Sequence, residues 1–99
     1  MPSPREQIAD NLAETCRFGG LDDAYGINKS KQTSSKGKTY WNVTFCKARY
    51  LDGEIKVFSE RFIIVSWQTA FRQLPARGSE KFTSESAVKD FIGRNFINV

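Results

Sequence analysis

The chain of 99 residues contains no histidine, which removes the commonest general base and the commonest transition-metal ligand. Cysteine is scarce as well. Cys16 and Cys46 stand far apart with no CxxC spacing, and two thiols cannot close a tetrahedral zinc site without other ligands. No stretch approaches the roughly 18 apolar residues of a membrane span, and the segment from Pro2 to Arg17 carries charges without the apolar run of a secretory signal. These absences lead to the expectation of a cytoplasmic, non-enzymatic protein with no metal, no cofactor and no membrane contact, its two thiols reduced and packed as small hydrophobes. The sequons at Asn28 and Asn42 would matter only in a secretory compartment.

Eight Phe, three Tyr and two Trp supply the material for a core, in a length that fits one folding unit. Ser3-Pro4-Arg5-Glu6 reads as a capped helix start, with Glu6 placed to complete a capping box. Ile8, Leu12 and Cys16 recur behind it at helical spacing until Gly19-Gly20 ends the run. A helix is predicted over 4–17. Strands are predicted over about 24–31, 39–50 and 54–65, the last two joined as a long hairpin through Asp52-Gly53, a strong type I′ turn signal. Trp67, Ala70, Phe71 and Leu74 fall at helical spacing and predict a short helix over 67–74; Thr83 or Ser84 then caps a helix over 84–96. The fold class expected is a single α+β domain: a twisted antiparallel sheet of three to four strands, with a long central hairpin, packed against N- and C-terminal helices. A short strand at Lys81-Phe82-Thr83 would supply the fourth. The expected core is Ile8, Leu12, Val43, Phe45, Val57, Phe62, Ile64, Trp67, Phe71, Val88, Phe91 and Ile92.

A hairpin through Asp52-Gly53 places Trp41, Val43, Phe45, Lys47 and Arg49 on one face opposite Ile64, Phe62, Glu60, Phe58 and Lys56. Neither face is then apolar throughout, which a strong twist or a bulge near Phe45-Cys46 would reconcile. Arg49 would also face Lys56, and like charges directly opposite on a sheet repel.

The net charge of +4 conceals a segregation. Residues 1–23 are net acidic, whereas residues 24–49 hold six cations and no acid, interleaved with Tyr25, Tyr40 and Trp41. Single-stranded nucleic acid requires cations that track phosphates and aromatic faces on which bases stack. Single-stranded DNA or RNA is therefore the expected partner. Lys29, Lys31, Lys36, Lys38, Lys47, Arg49 and Lys56 would contact it, and Tyr40 or Trp41 would stack. The alternative is a small regulatory or adaptor protein that binds another protein through the exposed hairpin or through Glu6, Asp10 and Glu14, an acidic ridge on the first helix. A bipolar chain of this kind also leaves a homodimer open. Lys36-Gly37-Lys38-Thr39 looks like the end of a phosphate-binding loop, but Gln32 stands where the leading glycine belongs and a strand follows instead of a helix.

Overall fold

The computed structural model describes residues 3–22, 26–47, 51–70 and 75–97. Helix α1 covers Pro4–Phe18, and the strands are β1 (Asn28–Thr33), β2 (Thr39–Lys47), β3 (Leu51–Ser59), β4 (Phe62–Thr69) and β5 (Arg77–Phe82). Helix α2 (Glu85–Ile92) follows and runs into a π-helical turn over Gly93–Ile97. The sheet is an antiparallel meander in the order β1-β2-β3-β4-β5. The domain is α+β as expected, with five strands where three to four were predicted.

Both helices start where the capping chemistry places them. Ser3 Oγ accepts from the Glu6 N–H at 3.2 Å with Pro4 in the first turn, and Ser84 Oγ accepts from the Ala87 N–H at 3.2 Å. α1 buries Ile8, Ala9, Leu12, Ala13 and Cys16; α2 and its continuation bury Val88, Ile92 and Phe96. All of these belong to one core with Val43, Phe45, Leu51, Ile55, Val57, Ile63, Val65 and Trp67 of the sheet. Strand alternation puts those sheet residues on a single face, so both helices lie on that face. Each fully buried aliphatic or aromatic side chain there is worth about 1.5–3 kcal/mol.

The extra strand comes from turns placed differently than expected. Asp52 and Gly53 lie inside β3, opposite Cys46 and Phe45, and β2 pairs with β3 from Lys47↔Leu51 upward. Gly53 is there for space: a Cβ on it would lie 2.3 Å from Phe45 Cζ, so the missing side chain lets that ring lie flat on the sheet. Gly78 does the same for Trp67, whose indole a Cβ would meet at 2.3 Å. A second reversal at Glu60-Arg61 divides the predicted strand 54–65 into β3 and β4. The predicted helix over 67–74 is corrected as well, because Trp67–Thr69 continue β4, with Trp67 and Gln68 paired to Gly78 and Arg77 of β5 and the Thr69 N–H donating to the Ala76 carbonyl; Phe71 and Leu74 lie outside the described residues. With these turns Trp41, Val43 and Phe45 face Val57, Ile55 and Gly53. The alternation of β2 and β3 is then regular, and no irregularity near Phe45-Cys46 is required. The register shift is instead between Val57 and Ser59.

Candidate nucleic-acid interface

Because both helices pack on one side, the other face of the sheet is bare of helix among the described residues, and its side chains form rows across the strands; Cys46, at the corner bridged by Asp22, is buried. One row runs Gln32, Tyr40, Phe58, Phe62; the next runs Ser30, Asn42, Lys56, Ile64, Lys81; a third runs Asn28, Thr44, Glu54, Ser66, Ser79. Successive rows are two residues, or about 7 Å, apart. The first row is aromatic. Tyr40 and Phe58 have ring centroids 4.8 Å apart at a 35° tilt, and Phe58 meets Phe62 edge-on at 5.3 Å and 82°. Phe58 is the additional residue of the bulge between Val57 and Ser59, which inserts it between its neighbours. Arg5 of α1 holds this end of the sheet: its Nη1 donates to the Thr39 carbonyl at 2.9 Å and, at 3.5 Å, to that of Phe58.

The second row supplies charge. Lys56 Nζ sits 5.7 Å from the Tyr40 ring centroid and Lys81 Nζ 5.4 Å from that of Phe62. Lys56 also reaches Glu54 at 3.5 Å. Asn42, between Ser30 and Lys56 in register, has its Oδ1 buried with no hydrogen-bond partner among the described residues. The β1–β2 turn beyond the aromatic row carries Lys36 and Lys38, whereas Glu60 and Arg61 of the β3–β4 turn border a hollow on the helix side with Pro4, Gln7 and Glu85. The segment holding the two lysines is an ordered turn: Gly37 has φ +82° and its N–H donates to Ser34 O, while Ser34 N–H donates to Lys38 O at 2.7 Å.

Strand alternation divides the cations and aromatics expected to bind. Tyr40 and Lys56 lie on the bare face, and Lys36 and Lys38 on the adjoining turn. Lys29, Lys31, Trp41 and Lys47 share the register side of Val43, toward the helices. Arg49 and Tyr25 are outside the described residues. Trp41 therefore cannot join Tyr40 in one platform; it packs against the core with Lys29 Nζ 5.0 Å from its ring. Lys29 also donates to Glu6 Oε1 at 3.2 Å and to Asp10 Oδ1 at 2.5 Å. The hydrogen bond to Asp10, reinforced by Glu6, raises the Lys29 pKa above its usual value. Glu14 pairs with Arg17 at 2.6 Å. The acidic ridge of α1 is thus matched by the chain's own cations. Cys16 is sealed in the core, and desolvation pushes its thiol up to about 12, which leaves it protonated and unreactive at neutral pH.

Sequence reasoning missed Phe58, Phe62, Ile64 and Lys81 as members of this surface. Phe62 and Ile64 were expected in the core, yet Phe62 is 40% exposed and Ile64 half-buried on the bare face. The available signal was Ser59-Glu60-Arg61, a polar interruption whose reading as a turn moves Ile63, Val65 and Trp67 to the helices and Phe62 and Ile64 away from them. The chain matches no protein-family profile, no curated protein and no solved structure.

Proposed function

We propose that the protein is a non-enzymatic, cytoplasmic binder of single-stranded nucleic acid that uses the bare face of its sheet. The observation that carries this reading is the juxtaposition of an aromatic row, Tyr40-Phe58-Phe62, with a cationic row, Lys56 and Lys81, on a face that neither helix covers. Phe62 is 40% exposed and Tyr40 and Phe58 are half-buried, so each ring of the row keeps some surface open to solvent. Bases stack on aromatic faces for about 1–3 kcal/mol each, whereas an exposed cation over a ring is worth about 0.5–1 kcal/mol. A base therefore displaces the ammonium groups from Tyr40 and Phe62, and they swing to the phosphates. Stacking tolerates any base, so weak sequence preference belongs to this reading.

The test is fluorescence anisotropy of a labelled oligodeoxythymidine over a range of salt concentrations. Each phosphate neutralised on a single strand contributes a slope of about −0.7 to log affinity against log salt. Engagement of Lys56 and Lys81 alone gives about −1.4, and recruitment of Lys36 and Lys38 extends it to about −2.8. A flat response, or no binding at low salt, refutes the proposal.

A further inference from the structure

We infer that the strand crosses the β-strands instead of running along them, with a footprint of about four nucleotides. This rests on the reading of the bare face as a single-strand platform and adds the path and the length class of the ligand. The face is divided into unlike halves. The half near the β1–β2 and β3–β4 turns carries the aromatic row and, beside it, Lys56 and Lys81. The other half carries Glu54 and then Asp52, which line a shallow depression of about 520 Å³ together with Thr44, Cys46, Ser66, Trp67 and Gln68. Arg77, in register with Gln68, is the cation of that half among the described strand residues.

The two paths differ in what a phosphate backbone meets. A strand laid along β3 would pass Phe58 and Lys56 and then Glu54 and Asp52, where two carboxylates oppose its phosphates. A strand laid across the sheet stays over the aromatic row, with Lys56 and Lys81 on one flank and Lys36 and Lys38 on the other. From β2 to β5 there are three interstrand spacings of about 4.8 Å, or about 14 Å in all. One base on each of the Tyr40, Phe58 and Phe62 rings, with a further nucleotide that carries its phosphate to Lys81 on β5, fills this span with about four nucleotides. The lengthwise path over a nine-residue strand such as β3 would take about 30 Å, room for about twice as many nucleotides.

A length series of dT2, dT4, dT6 and dT12, with affinity corrected for the number of binding registers, separates the two. The expected result is a rise from dT2 to dT4 or dT6 and no further gain at dT12. Two exposed positions give an independent check. Gln32→Lys extends the aromatic row at its β1 end, so it is expected to tighten dT6 and make the salt slope more negative by about 0.7. Asp52→Lys lies off the path and is expected to change dT12 affinity less than twofold. Continued strengthening from dT6 to dT12, or tightening by Asp52→Lys without an effect of Gln32→Lys, overturns the crosswise path and leaves single-strand binding standing. Absence of binding at every length overturns both.

Discussion

Replacing Phe62 separates a binding role from a packing role. Its ring is 40% exposed, meets Phe58 edge-on and lies beneath Lys81. Truncation to alanine forfeits part of the 1.5–3 kcal/mol of a fully buried Phe, together with an aromatic pair worth about 0.5–1.5 kcal/mol. The expected loss of stability is about 1–2 kcal/mol, seen as a Tm lowered by several degrees in a domain of this size. If the ring also stacks on a base, affinity for dT6 falls by the stacking term of about 1–3 kcal/mol, roughly 5- to 140-fold. Phe62→Leu distinguishes these contributions, because leucine restores apolar cover without a π face. The expected outcome is near-normal Tm with affinity still weakened at least fivefold. Phe18 at the end of α1 is 97% exposed and borders Lys89 and Ile97 in the helical layer, so Phe18→Ala is expected to change neither quantity. Wild-type affinity in Phe62→Leu would refute the stacking role.

Three further outcomes follow from the same geometry. Gly53→Ala puts a methyl 2.3 Å from the Phe45 ring, which is itself only 2% exposed and 5.6 Å from Phe96; a loss of about 1–3 kcal/mol is expected in urea unfolding, and an unchanged midpoint would contradict the packing described. Trp67 is buried and Trp41 lies on the helix-packed side, so saturation with dT6 is expected to leave indole fluorescence nearly unchanged; strong quenching would relocate the ligand. Lys29→Met removes the links to Glu6 and Asp10. Since the folded Lys29 pKa is raised, the wild-type advantage over this variant is present in full below the unfolded lysine pKa of about 10.4 and fades as pH rises through the higher folded value. Urea midpoints of the two proteins between pH 7 and 11 check this, and a gap that widens with pH would refute it.

The ends of the fold were legible because short-range chemistry determines them. Ser3-Pro4 and Ser84 cap helices through bonds to residues three positions on, and the α1 stripe Ile8-Leu12-Cys16 is buried as its spacing requires. The middle was less legible because long-range packing determines it. Asp52-Gly53 has the composition of a tight turn, but the reason for Gly53 lies eight residues earlier, in the ring of Phe45. One misplaced turn exchanges every side chain between faces, which is why Phe62 and Ile64 were expected inside. Of the basic block, composition revealed its existence but not its division. Lys29 and Lys31 are two apart and hence on one side of β1, and only the register Lys29↔Val43 and Lys31↔Trp41 shows that side to be the helix side. Tyr40 and Lys56 survive in the proposed surface because the register places them with Phe58, Phe62 and Lys81.

Intermolecular NOEs between base protons of a bound short oligonucleotide and protein side chains test the central claim most directly. The expected result is contacts from Tyr40, Phe58 and Phe62 rings to successive bases, with none to α1 or α2. Contacts confined to the helices, or to Trp41 on the opposite face, would contradict it.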